Sequence, residues 1–371
     1  MIDLNDLKPQ IMDKPNRWND FYGVVNFEHE GVPCFLSLVM NEGPLLGFSS
    51  NRFKLSKGPL KTTRNDGIPT INEYGIVMRK IKPQIKPTFK YEVKDNAVFI
   101  YQDEVTVICK PDEQKIISTN KDMNGELIFK PRGPELWWGN ERYRNCMATP
   151  EATQTGFELL STVSGKITIK GEDFDIKGHG LFEHVWITTS DPKKISPQDW
   201  MMDIRDLDWI YANFDDHYLF FCNTLSVNNK KCFYNFMTGS IYLKDGEEGE
   251  ILVVKDIKSK SKNWHKVELN CEMMASNKTC SLTELMAIER IFKLKTNKGT
   301  LKLKAIMSMY PQLIYKPQIH ENMTLNGKNG LKMLFYDAPI LLEGTFKYDY
   351  GREIIFKNGT GVNEQMHINS I

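Results

Sequence analysis

What this chain lacks narrows its chemistry. None of its seven cysteines sits in a Cys-x-x-Cys pair, and their odd number and wide spread fit neither a disulfide framework nor a clustered zinc site. No run approaches about eighteen uninterrupted apolar residues, so no integral membrane span is expected. Charge of one sign is missing too: 48 basic residues face 47 acidic ones, for a net charge of +1. No global field then draws the chain to nucleic acid or to an anionic membrane, and no nucleic-acid partner is expected.

Two further absences concern cofactors and a third concerns targeting. Gly43 to Gly47 lacks the glycine pattern and the following lysine of a phosphate loop, so no nucleotide cofactor is expected. His179, His184 and His217 are enough imidazoles for a metal, yet the chain has neither His-Glu-x-x-His nor a compact calcium loop, and no metal is expected. The opening MIDLNDLKPQIMDKP has no basic region followed by an apolar core. A soluble cytoplasmic protein is the plain expectation.

What is present is alternation. At 371 residues the chain exceeds the usual single-core domain, and two domains are expected. Lys166 to Lys170 and Phe174 to Lys177 alternate polar and apolar residues around Gly171, Asp95 to Gln102 pairs with Glu104 to Cys109, and Ile291 to Thr296 pairs with Thr300 to Ala305 across Asn297-Lys-Gly299. Each reads as a hairpin. Ser281 to Ile288 fits either a short helix or a strand. Many antiparallel strands with one apolar face must pair their edges, which predicts an all-β chain of closed barrels or sandwiches. The domain change belongs between about 195 and 240, where Tyr211, Phe214, Tyr218, Phe220, Phe221, Phe233, Tyr234 and Phe236 supply either core packing or the lining of an apolar pocket.

The segment from Gly178 to Trp186, GHGLFEHVW, is the one place that looks built for chemistry. A strand period puts Gly180, Phe182 and His184 on one face and Leu181, Glu183 and Val185 on the other, so Glu183 and His184 diverge unless a bulge turns one of them. In an apolar cavity Glu183 can keep a proton and act as an acid, His184 can relay one, and Trp186 can cover developing positive charge. The bland alternative is a buried hydrogen-bond network beside a core tryptophan. Asp208 before Trp209 is the second candidate acid, whereas Asp215-Asp216-His217 reads as the next turn. Trp137 and Trp138 can roof an apolar ligand and Arg142 can hold an oxygen of it, or they can serve as core and rim. Lys258, Lys260, Lys262 and Lys266 around Trp264 fit a solvated turn or a transient membrane-surface contact.

GHGLFEHVW followed by LDWIYANFDDH resembles the tandem lipocalin-like family that includes carotenoid 1,2-hydratases, AttH-like proteins and Diels-Alderase-like pericyclases. The likeness spans about 120 to 360 and is strongest between about 175 and 220. The family's usual pattern is Tyr-His-Asp-His-Asn-Trp-Gly, then an Asp-Trp strand ending in paired acids. On that pattern His184 takes the second histidine, Glu183 the Asp and Trp186 the Trp, with Asp208-Trp209 and Asp215-Asp216 following. Leu181, Phe182, Val185 and Ile187 replace polar or small positions, which enlarges the apolar part.

The resemblance implies two lipocalin-like antiparallel β-barrel domains, 1–220 and 221–371, around a hydrophobic small-molecule substrate and without a cofactor. It implies a hydratase or cyclase acting on an isoprenoid-like molecule, with Glu183, His184 and Asp208 catalytic and Trp186 and Trp209 binding substrate; Trp137, Trp138, Arg142 and Tyr211 are the further binding candidates, and Glu364, in Gly359-Thr-Gly361-Val-Asn-Glu364, either enters the site or caps a strand end. A pericyclase for a polyketide-like substrate and a non-enzymatic carrier stand as alternatives.

Overall fold

The computed structural model describes residues 2–13, 17–42, 50–60, 74–80, 89–144, 146–149, 152–189, 204–227, 233–245, 248–273, 275–276, 278–314, 318–325 and 328–370. Among these the chain is almost entirely β-structure, as the alternation predicts, and no helix is long and apolar enough to cross a membrane. It divides into two compact units, residues 1–57 with 73–201, and residues 58–72 with 202–371. The second of these units takes in the whole of the strand Ile204–Asn213. That strand pairs with Tyr218–Val227 and with Glu353–Ser370.

The first unit contains β1 (Arg17–His29), β2 (Val32–Glu42), β3 (Ser50–Lys57), β4 (Tyr74–Lys80), β5 (Lys90–Lys94), β6 (Ala97–Gln102), β7 (Val105–Lys110), β8 (Glu113–Asn120), β9 (Met123–Pro131), β10 (Leu136–Trp137), β11 (Cys146–Thr149), β12 (Ala152–Ile169) and β13 (Glu172–Thr189). Its sheet runs β4-β3-β2-β1-β13-β12-β9-β8-β7-β6-β5, with β10 and β11 on β12. Two meanders, β1 to β4 and β5 to β13, are thus joined by the antiparallel pair β1·β13.

The turn between β12 and β13 is Lys170-Gly171, both at positive φ (49° and 87°). That is the two-residue geometry whose twist suits a hairpin, and Gly171 supplies it without strain. Asp95 and Asn96 do the same between β5 and β6, so the strand expected from Asp95 begins at Ala97. The core lies on one face of this sheet: Phe21, Phe129, Phe157, Phe174 and Phe182 are all buried there, each such ring worth about 1.5–3 kcal/mol of transfer free energy. Ile2 and Leu7 of the irregular opening segment join the same core.

The second unit contains β14 (Ile204–Asn213), β15 (Tyr218–Val227), β16 (Phe233–Asp245), β17 (Glu248–Met273), β18 (Lys278–Thr296), β19 (Gly299–Met307), β20 (Gln312–Leu313), β21 (Gln318–Leu325), β22 (Lys328–Tyr348) and β23 (Glu353–Ser370). Neighbours in the path β16-β15-β14-β23-β22-β19-β18-β17 are paired, and a β16·β17 pair returns the path to its start. Ser281 to Ile288, open between helix and strand in the sequence, is strand within β18. Phe233 and Tyr234 have side chains outside the described ones. Both units are antiparallel sheets of lipocalin-like topology. A ring of pairs is recorded in the second; the first runs as an open sheet among the described residues.

Candidate functional site

β13 positions the motif. Its pairing with β1 and β12 runs from Gly178 to Thr188 without a register shift, so the period of two holds and Glu183 and His184 point to opposite faces. Gly178 and Gly180 are there for close approach. A Cβ on either would stand 2.0 or 1.9 Å from a β1 carbonyl, of Asn26 and Val24 respectively.

His184 lies on the core face and is fully buried. It stacks on Phe21 (centroids 4.1 Å, 14°), meets Phe157 edge-on (5.7 Å) and sits 5.0 Å from Trp186. Its Nδ1 is 3.0 Å from the carbonyl oxygen of Asp6. A carbonyl only accepts, so Nδ1 carries the proton and Nε2 is left as a bare acceptor. Nε2 has no hydrogen-bond partner among the described residues. Burial pulls the imidazole down to about 3, against the opposing pull of the Asp6 carbonyl, so the ring is neutral at pH 7.

Asp6 was not legible as part of this arrangement. Its carboxylate is buried and accepts from Arg142 Nε (3.1 Å) and Nη2 (2.8 Å), and Arg142 Nη2 also reaches Asp3 (2.6 Å). Arg142 therefore fastens the opening segment to this unit. Trp137 belongs to the core face with His184 and Trp186, 5.2 Å from Phe157.

The opposite face carries Glu183. Its direct cross-strand neighbours are Tyr22 and Glu158, so two buried carboxylates stand side by side. The Trp138 indole N–H donates to Glu158 at 2.8 Å, which puts Trp138 with Glu183 and not with Trp137. Glu158 carries no signal in the sequence beyond an acid in an alternating strand.

Asp208 belongs to the second unit. It shares the inward face of β14 with Ile210 and Ala212 and is ion-paired to Arg290, while Asn363 Nδ2 donates to its other oxygen at 3.3 Å. Arg290 Nη1 donates in turn to Ser261 at 2.6 Å. From Asn363 the network continues to Gln365 (2.6 Å), which accepts from Tyr336 (2.9 Å). Burial pushes the Asp208 carboxyl up and Arg290 pulls it down, with burial the larger effect. Trp209, Tyr211 and Glu364 lie on the other face of the same sheet: Trp209 pairs Glu364 in register, and its ring meets Tyr211 edge-on at 5.7 Å.

The seven binding candidates and three catalytic ones thus fall into separate groups within their units. Trp137, His184 and Trp186 share one face of the first unit, Trp138 and Glu183 the other, and Asp208 is inside the second unit's ring. Asp215 and Asp216 form the expected turn, closed by a bond from Phe214 N to the His217 carbonyl at 2.8 Å. Among the described residues no group of three or more His, Cys, Asp or Glu side chains is placed to hold a metal ion.

No protein-family model and no curated protein matches this chain. Solved structures do. CghA aligns at 9% identity over 95% of this chain and 88% of its own, with a TM-score of 0.56. CghA with Sch210972 aligns at 8% identity over 95% and 89%, with a TM-score of 0.53. A candidate AttH from Nitrosomonas europaea aligns at 11% identity over 98% and 96%, with a TM-score of 0.55. At such identities the likeness is one of fold, and the chain has the lipocalin-like fold of the CghA and AttH structures.

Proposed function

We propose that this chain is a cofactor-independent enzyme that binds an apolar, isoprenoid-like small molecule and hydrates or cyclises it by proton transfer. The observation that carries this reading is His184: a neutral imidazole with its tautomer fixed by Asp6, and its bare Nε2 among Phe21, Phe157 and Trp186. So weak a base cannot hold a proton at pH 7, yet it suffices to take one from a carbocation or from water attacking one, both far stronger acids. The aromatic faces around it favour positive charge as it develops. CghA, of the same fold, was solved with the small molecule Sch210972, which supports a small-molecule ligand here.

Glu183 and Asp208 are the proposed proton donors, as alternatives and not as partners of His184: Glu183 lies on the opposite face of the sheet and Asp208 in the second unit, so at either one the carboxylate that protonates the alkene takes a proton back from the attacking water. Glu183 stands beside the buried carboxylate of Glu158, on the face that Trp138 also lines. The Arg290 pairing of Asp208 favours a second reading, a hydrophobic-ligand carrier in which Asp208 serves structure alone.

The test combines mass spectrometry of apolar molecules copurified with the protein and turnover of a panel of acyclic isoprenoids. His184→Gln, Glu183→Gln and Asp208→Asn variants that bind but do not turn over support the acid-base reading. Unchanged turnover by His184→Gln overturns it, and parallel loss of folding and binding in all three favours the carrier.

A further inference from the structure

The basic run around Trp264 is neither a turn nor a loop. It is the middle of β17, paired with β18 from Val254 to Met273. Val267, Leu269 and Cys271 of β17 and Met286, Phe292 and Leu294 of β18 join the core, so the alternate positions face outward. Outward neighbours then follow from the register across β17, β18, β19 and β22. One row is Lys258–Lys293–Lys302, the next Lys260–Ile291–Lys304–Glu343, the next Lys262–Glu289–Ile306–Leu341, then Trp264–Ala287 and Lys266–Leu285.

Two properties of this face stand out against a chain of net charge +1. Lys258, Lys260, Lys262, Lys266, Lys293, Lys295 and Lys302 are exposed and form no ion pair among the described residues. Lys304 is paired with Glu343 at 3.5 Å, and Glu289 is engaged by Asn263 at 2.8 Å. Within this cationic field large apolar side chains stand in solvent: Trp264 and Leu285 are each 53% exposed, Leu341 53% and Ile306 37%. Single exposed apolar residues are ordinary, but four on adjoining rows of one basic sheet face are not.

We propose that this face docks on an anionic lipid bilayer surface. The lysines would sit over anionic headgroups, where each contributes through the negative surface potential. Trp264, with an apolar body and a polar N–H, suits the headgroup boundary, and Leu285 beside it adds apolar area. Charge complementarity selects the bilayer, and the protruding aliphatics separate it from a phosphate backbone, which offers them nothing to enter. A molecule that works on an apolar substrate gains from such a face, because that substrate partitions into membranes.

The experiment is cosedimentation of the full chain with vesicles of phosphatidylcholine alone and with about 30% phosphatidylserine, at low and high salt. The expected result is binding to the anionic vesicles that is lost in high salt. Lys260→Gln with Lys262→Gln should weaken it by about 25-fold, taking about fivefold per lysine. Trp264→Ser should weaken it as well, with unchanged circular dichroism in both variants. Equal binding to neutral vesicles, no vesicle binding, unaltered affinity in the lysine variant, or binding to duplex DNA in place of vesicles would each overturn the proposal.

Discussion

Replacing His184 by Phe should remove one proton's worth of acid sensitivity from folding. The folded imidazole holds its proton only near pH 3 because it is buried, whereas an unfolded histidine takes one up near 6.5. Between those values the unfolded chain binds one more proton than the folded one, so this group's contribution to stability is fully present above 6.5 and is lost as pH falls. The limiting slope is about 1.4 kcal/mol per pH unit. From pH 6.5 to 4.5 the wild type should therefore lose about 2–3 kcal/mol on account of His184 alone. Phe can occupy the stack against Phe21 and Phe157 but does not titrate. Other groups titrate alike in both proteins, so the stability difference isolates the histidine. The assay is urea unfolding followed by tryptophan fluorescence at pH 7.5, 6.5, 5.5 and 4.5. At pH 7.5 the variant should be the weaker by about 1 kcal/mol for the lost bond to Asp6, and the gap should close or invert by pH 4.5. A gap that stays flat across the series would show that His184 is not a buried neutral ring and would remove the base from the proposed mechanism.

Asp208→Ala leaves Arg290 charged and buried without its counter-ion and should cost about 3–5 kcal/mol in the same unfolding assay, while the Asp208→Ala/Arg290→Met double variant should cost less than the single one. Strict additivity of the two changes would dissolve the claimed coupling. Gly180→Ala places a methyl 1.9 Å from the Val24 carbonyl and should destabilise by about 1–3 kcal/mol or more, measured by thermal unfolding, whereas Gly171→Ala, with nothing within 4 Å, should lose only the cost of its positive φ.

Much of this fold is written in local alternation. The β12–β13 and β18–β19 hairpins follow from period-two patterns with turn residues between them, and the same period put Glu183 and His184 on opposite faces. What alternation does not encode is the partner of a strand far away in the chain. Arg290 was invisible because its role depends on β18 meeting Asp208 across the ring's interior, 82 positions away. Asp6 was invisible because an irregular segment has no period to read, and its contribution is a backbone carbonyl, which every residue has. Glu158 required the register of β12 on β13, and one residue of slip would have turned it to the other face. By composition the basic run around Trp264 fits a solvated turn or a transient membrane-surface contact. Only the pairing of β17 with β18 shows it as one continuous face.

The pairing of β1 with β13 also governs when the first unit can exist. Phe27 must find Gly178, and Arg17 must find Thr188, so the earliest strand of the chain waits for one made some 150 residues later. In the second unit β14 likewise waits for β23, as Asp206 waits for His367. At roughly 5–20 residues per second of synthesis, the β1 edge spends about 8–30 s unpaired. Such high contact order makes folding slow and exposes that edge to other chains. The interval between the ribosome's delivery of β1 and of β13 is thus one in which that edge is open to other chains, and slowing translation after β4 should lower the soluble yield of the full chain.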